Sequence, residues 1–194
     1  MRSIAGVATM AALAVFSMAQ LPYARQALDL GRTHDDALYD AFSRSYLLTP
    51  NDTVERAEAI TEFRRAVMIV REHAMQGDFG FTAHDLDVAM KPQAGLVGFV
   101  VQAKLHPLHV YAAPPPFDLY VATGPATKPI AAAPLKRDPV FPPGASPDTS
   151  MIAVRLEGTF KRADIVAAPS PSLVVTDEKA NVLWQARIDL TRYR

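Results

Sequence analysis

Hydrophobic positions recur along this chain with two periods, and the change falls near residue 94. Upstream the period is that of a helix. In "THDDALYDAFSRSYLL", Leu38, Phe42 and Tyr46 stand four apart. Thr33 is placed as a cap, and Asp35 and Asp36 fall in the first turn, where carboxylates offset the exposed N–H groups. Pro50 then interrupts, and Asp52 with Glu55 three residues later predicts the start of a second helix. Along it Ile60, Phe63, Val67, Val70 and Ala74 form an apolar stripe at alternating spacings of three and four. The pair predicts a helical hairpin, closed by the glycines of "QGDFGF". A short third helix over "TAHDLDVAM" is expected to stop before Pro92.

Downstream the period is two. Val97, Phe99, Val101, Ala103 and Leu105 fall on one face of "LVGFVVQAKL", as do Ile152, Val154, Leu156 and Phe160 in "MIAVRLEGTF". "FDLYVAT" predicts another strand, and "SLVVTDEKANVLWQARIDL" predicts a hairpin around Asp177 to Asn181 with Trp184 in the core. Helical periodicity is missing between these strands, which predicts a mainly antiparallel sheet. The expected fold is α+β: a leader or anchor helix, a helical region over 20–93 that contains the helical hairpin, then a β-sandwich over 94–194 of immunoglobulin-like or transthyretin-like type.

The stretch 124–150 is too long for a hairpin and rich in Pro and Ala, which predicts an extended crossover loop. Leu135, Val140 and Phe141, apolar residues spaced by prolines, are its candidates for docking on a partner protein. Removing 125–149 is then expected to abolish association and leave the fold intact.

The opening twenty residues add a compartment. Arg2, an apolar run from Ile4 to Phe16, and Ser17, Met18 and Ala19 match a secretory leader cut after Ala19, a signal peptide of residues 1–19. The alternative is a retained anchor over 4–21, about 27 Å of helix at ~1.5 Å per residue against a bilayer core of ~30 Å. Residues beyond Gln20 are accordingly expected in the periplasm or outside the cell, or at a membrane surface reached through 4–21 if the leader is uncleaved.

Composition narrows the chemistry. Lys and Arg number 20 and Asp and Glu number 20, so no basic field attracts nucleic acid, and nucleic acid is not an expected partner. Cysteine is absent, which removes disulfides, thiolate metal sites and a cysteine nucleophile, so the fold must stand on packing. No G-x-S-x-G, Ser-x-x-Lys or glycine-rich phosphate loop appears. "DFG" at Asp78 to Gly80 lacks the other kinase motifs, and Asp85 and Asp87 suit a helix start better than a catalytic pair. "HPLH" is the nearest approach to a metal motif. His106 and His109 would share an ion only through a bend at Pro107, with His84 and Asp85 as the candidate further ligands. Two readings follow: an exported or membrane-associated, non-catalytic accessory protein that contacts a protein partner, such as a membrane complex, without a cofactor; or a small-ligand or metal-binding module, enzyme included, at the junction of the helical and β parts.

Overall fold

The computed structural model describes residues 22–124, 127–146 and 149–193; the leader read over 1–19 and the alternative anchor over 4–21 lie outside the described residues. Two helices come first, α1 (Ala24–Gly31) and α2 (Asp36–Arg44), followed by strands β1 (Leu47–Leu48) and β2 (Val54–Ile60). Helices α3 (Glu62–Met75) and α4 (Ala83–Met90) lead through a 3-10 turn, Lys91–Gln93, into β3 (Leu96–Lys104). The remainder runs β4 (Asp118–Ala122), β5 (Ile130–Ala131), β6 (Leu135–Val140), β7 (Ala153–Lys161), α5 (Arg162–Val166), β8 (Ser172–Thr176) and β9 (Val182–Arg187).

The strands form two antiparallel sheets, ordered β1-β2-β3-β7-β6 and β5-β4-β8-β9, so the fold is mixed α+β with a sandwich-like arrangement. Between the sheets lies the main core, in which Phe99, Val101 and Leu156 from one sheet meet Leu119, Leu173 and Trp184 from the other. The Trp184 indole N–H donates to the Thr49 carbonyl at 3.0 Å, which satisfies its one polar atom and ties the two sheets together at that side. A second core joins the helices: Ala24 and Ala27 of α1, Phe63, Val67 and Val70 of α3, and Leu86 and Met90 of α4. Phe42 packs against both cores, edge-on to Tyr46 and to Phe63. The close approach of α1 to α3 requires Gly31, where a Cβ would lie 2.6 Å from the Val70 side chain and 2.9 Å from the Val67 carbonyl.

The alternation read in β3 is present, with Val97, Phe99, Val101, Ala103 and Leu105 all buried. The third helix is also present, closed by a capping box between Thr82 and Asp85. The β8–β9 hairpin turns where expected: Asp177 accepts from the backbone N–H groups of Lys179 and Asn181, and Ala180 takes a left-handed φ of 61°.

Other expectations are corrected. Residues 54–60, read as the first turns of a helix, form β2, and α3 begins at Glu62 with Thr61 as its cap. The supposed helical hairpin is therefore split by β1 and β2, and α3 pairs instead with α1, which the periodicity did not reveal. Residues 20–93 are not wholly helical, since they supply two strands of the larger sheet. The stretch 124–150 is not a plain crossover loop, because it carries β5 and β6. Pro139 sits within β6, at the edge of its sheet where a missing N–H breaks no ladder bond. The short helix α5 lies between β7 and β8, where none was expected. Just ahead of β7, Met151 is buried and Ile152 is exposed, and the strand begins with Ala153 and Val154 both buried. Among the described residues no helix is long and apolar enough to cross a membrane.

Candidate functional site

Strands β3, β7 and β6 reach one end of the larger sheet together. The ladder continues past them: Leu105 N–H donates to the Ile152 carbonyl at 2.8 Å, and Ile152 N–H donates to the Val140 carbonyl at 2.8 Å. Beyond Leu105 the chain bends at Pro107, closed by a 3.1 Å bond from His109 N–H to the His106 carbonyl. The consequence is an apolar tip. Leu108 is 84 % exposed, Val110 85 %, Ile152 48 % and Phe141 45 %. Single exposed apolar residues are ordinary, but four on segments that leave the same end of a sheet make that end a candidate interaction surface.

The sequence-predicted residues distribute unevenly around this tip. Phe141 belongs to it, and Val140, half-buried, anchors it through its carbonyl. Leu135 does not: it starts β6 opposite Gly158 and packs against the main core. The bend does bring His106 and His109 together, with ring centroids 4.7 Å apart. His106 Nδ1 accepts from Leu108 N–H at 3.3 Å, so it stiffens the turn. His84 is elsewhere, on α4 at the other end of β3, a strand whose nine residues span about 27 Å at ~3.3 Å per step. The three histidines cannot share an ion, and among the described residues no three His, Cys, Asp or Glu side chains come together in a way that would hold one. Leu108 and Val110 give no signal of their own because "HPLHVY" resembles a strand-ending bend, and Ile152, expected on the inward face, fits an alternation that the strand takes up only at Val154.

At the opposite end, where the helices meet the sheet, lies a cleft of about 210 Å³. Gly95 ties together two of the residues that line it, Glu62 and Arg162. Its N–H donates to Glu62 Oε1 at 2.7 Å and its carbonyl accepts from Arg162 N–H at 2.8 Å, which sets the first turn of α3 and the first residue of α5 on either side. Tyr23 and Tyr193 flank the opening, and Phe63, Val97 and Leu190 supply apolar wall. Burial pushes the Tyr23 phenol up to about 12, helped by the negative charges of Glu62 and Asp87. Tyr46 and Tyr193, stacked at 5.4 Å, are also raised, chiefly by burial.

A pH dependence follows. These phenols keep their protons in the folded chain, whereas in the unfolded chain they ionise near the ordinary value of ~10. The unfolded state therefore loses protons first, and stability, unaffected below about pH 10, falls as pH rises toward about 12. Absorbance titration is expected to show a late-ionising group of tyrosines in the native protein that merges with the ordinary ones in denaturant. Identical titration curves in the two states would contradict it.

The chain matches no family model, no curated protein and no solved structure.

Proposed function

We propose that this is a non-catalytic accessory protein of the cell envelope that binds a protein partner through the tip formed by Leu108, Val110, Phe141 and Ile152. The observation that carries the reading is the joint exposure of these four side chains on one hydrogen-bonded sheet end. Pro107, Pro114, Pro115, Pro116, Pro142 and Pro143 fall in the adjoining loops, so little backbone freedom remains to be lost on binding. From residue 104 to 116 the only cation other than histidine is Lys104, and a surface that seeks anionic lipid would carry a basic cluster instead. Export by the leader over 1–19, or retention through 4–21, places that partner outside the cytoplasm. The sandwich, proposed as immunoglobulin-like or transthyretin-like, is then a rigid mount for the tip.

The deletion of 125–149 is no longer a suitable test. It would remove β6, which pairs with β7 over six residues, and Arg137, which bonds the Phe117 carbonyl and the Asp118 carboxylate at 2.6 Å each. A photo-crosslinking side chain at Leu108, in the native host, tests the tip directly. One discrete adduct is expected from position 108, lost when Val110→Asp is added, with none from position 179 in the β8–β9 turn. Equal labelling from both positions, or an adduct indifferent to Val110→Asp, would refute the docking role. The mass of the purified chain should show the loss of residues 1–19.

A further inference from the structure

We propose that the cleft between α3, α5 and the start of β3 is a binding site for a small zwitterion with an apolar side chain, the chemistry of a free valine- or leucine-sized amino acid. This goes beyond partner docking, uses none of the tip residues, and lies at the other end of the sheet.

Three observations converge. The Tyr23 hydroxyl is buried at the cleft and has no hydrogen-bond partner among the described residues. A buried polar group left unsatisfied destabilises a fold, and replacing it by an apolar isostere would remove that penalty, so its presence calls for an explanation. Second, Glu62 and Arg162 line the same cavity, yet neither side chain enters an ion pair among the described residues. Gly95 bonds the Glu62 carboxylate and the Arg162 backbone N–H, which brings the two residues of opposite charge to the same cleft. Third, the wall between them is apolar: Phe63, Leu96, Val97 and Leu190.

The charges assign the ends of the ligand. Glu62 Oε1 is occupied by the Gly95 N–H, which leaves Oε2 to accept from an ammonium group. The Tyr23 oxygen lies in the same negative field of Glu62 and Asp87, where an ammonium group is favoured and a carboxylate is repelled. The carboxylate goes to the Arg162 guanidinium, which presents paired donors to it. Size sets the rest. A cleft of about 210 Å³ lies below the ~300–1,000 Å³ usual for drug-sized ligands and suits a branched aliphatic amino acid.

Calorimetric titration of the purified protein with L-leucine, isovalerate and isoamylamine separates the contributions. Leucine is expected to bind one to one, with isovalerate and isoamylamine each weaker by ~10-fold or more, the value of one charge-assisted bond. Glu62→Gln should erase the preference for leucine over isovalerate. Tyr23→Phe should weaken leucine by ~10-fold while raising the melting temperature, because the variant no longer buries an unpartnered hydroxyl. Absence of leucine binding at about 10 mM, equal affinity for the three probes, or a Tyr23→Phe variant that melts lower and binds unchanged would each overturn the assignment. None of these results bears on crosslinking at position 108, so the two proposals fail separately.

Discussion

Replacing Arg64 with alanine is expected to lower the unfolding free energy by about 3–5 kcal/mol, the range for breaking a buried ion pair from one side. Arg64 is 5 % exposed and Glu58 7 %, and both Arg64 Nε and Nη2 lie 2.7 Å from Glu58 Oε1. Burial alone would pull the Arg64 pKa down, but the Tyr39 hydroxyl and the Glu58 carboxylate outweigh it and the guanidinium is held above its ordinary value. Its carbon also sits 5.4 Å from the Phe42 ring centroid, 5.6 Å from Tyr39 and 5.9 Å from Tyr46. Glu58 lies on β2 and Arg64 in the first turn of α3, so the pair is a joint between sheet and helices, and its loss is felt by both cores. Removal would leave the Glu58 carboxylate buried with Arg56, itself largely in solvent, at 2.9 Å. Urea denaturation measures the effect. The double variant Glu58→Met with Arg64→Met should recover most of the loss, because no charge is then stranded. A single-variant effect below about 1 kcal/mol would show Arg56 to be a sufficient substitute.

This joint also shows why the sequence was legible in some places and not in others. In β3 the inward residues are uniformly apolar and the period is unbroken, so the strand reads directly. In β2 the register shifts between Val54 and Arg56, and Glu58 is buried by its ion pair, so four successive residues from Ala57 are inside and no alternation survives. Glu, Arg and Ala are also good helix formers, and an Asp three residues before a Glu imitates a cap. The pairing with β3 decides the matter, and the partner residues lie 38 to 49 positions away. Likewise the prolines of 124–150 argue against a strand only if the strand is central, and β6 is at an edge. The candidate sites were hidden for the same reason. The cleft gathers residues from 23 to 193, and the tip is assembled by backbone bonds among residues 105, 140 and 152. Neither has a local spacing to read.

Phe99→Ala is expected to destabilise the fold by about 3–5 kcal/mol, through lost transfer energy and the cavity left behind. The reason for the upper part of that range lies in its neighbours. Phe99 is fully buried and pairs across β3 with Ala59 on one side and Gly158 on the other, so the ring fills the width that two small residues leave open. It meets Phe160 edge-on at 5.7 Å. Gly158 tests the same layer from the opposite direction. A Cβ there would stand 2.8 Å from a Leu119 methyl and 2.9 Å from the Ala132 Cβ, so Gly158→Ala should cost about 1–3 kcal/mol by overpacking. With no cysteine in the chain, no disulfide limits either loss. In the double variant Leu119 gains the space vacated by the ring, and the two losses should sum to less than their total by about 0.5–3 kcal/mol. Denaturant midpoints at unchanged slope provide the measurement. Strict additivity would mean that Leu119 cannot move into the vacated volume, and that the layer is held by the backbone rather than by side-chain packing.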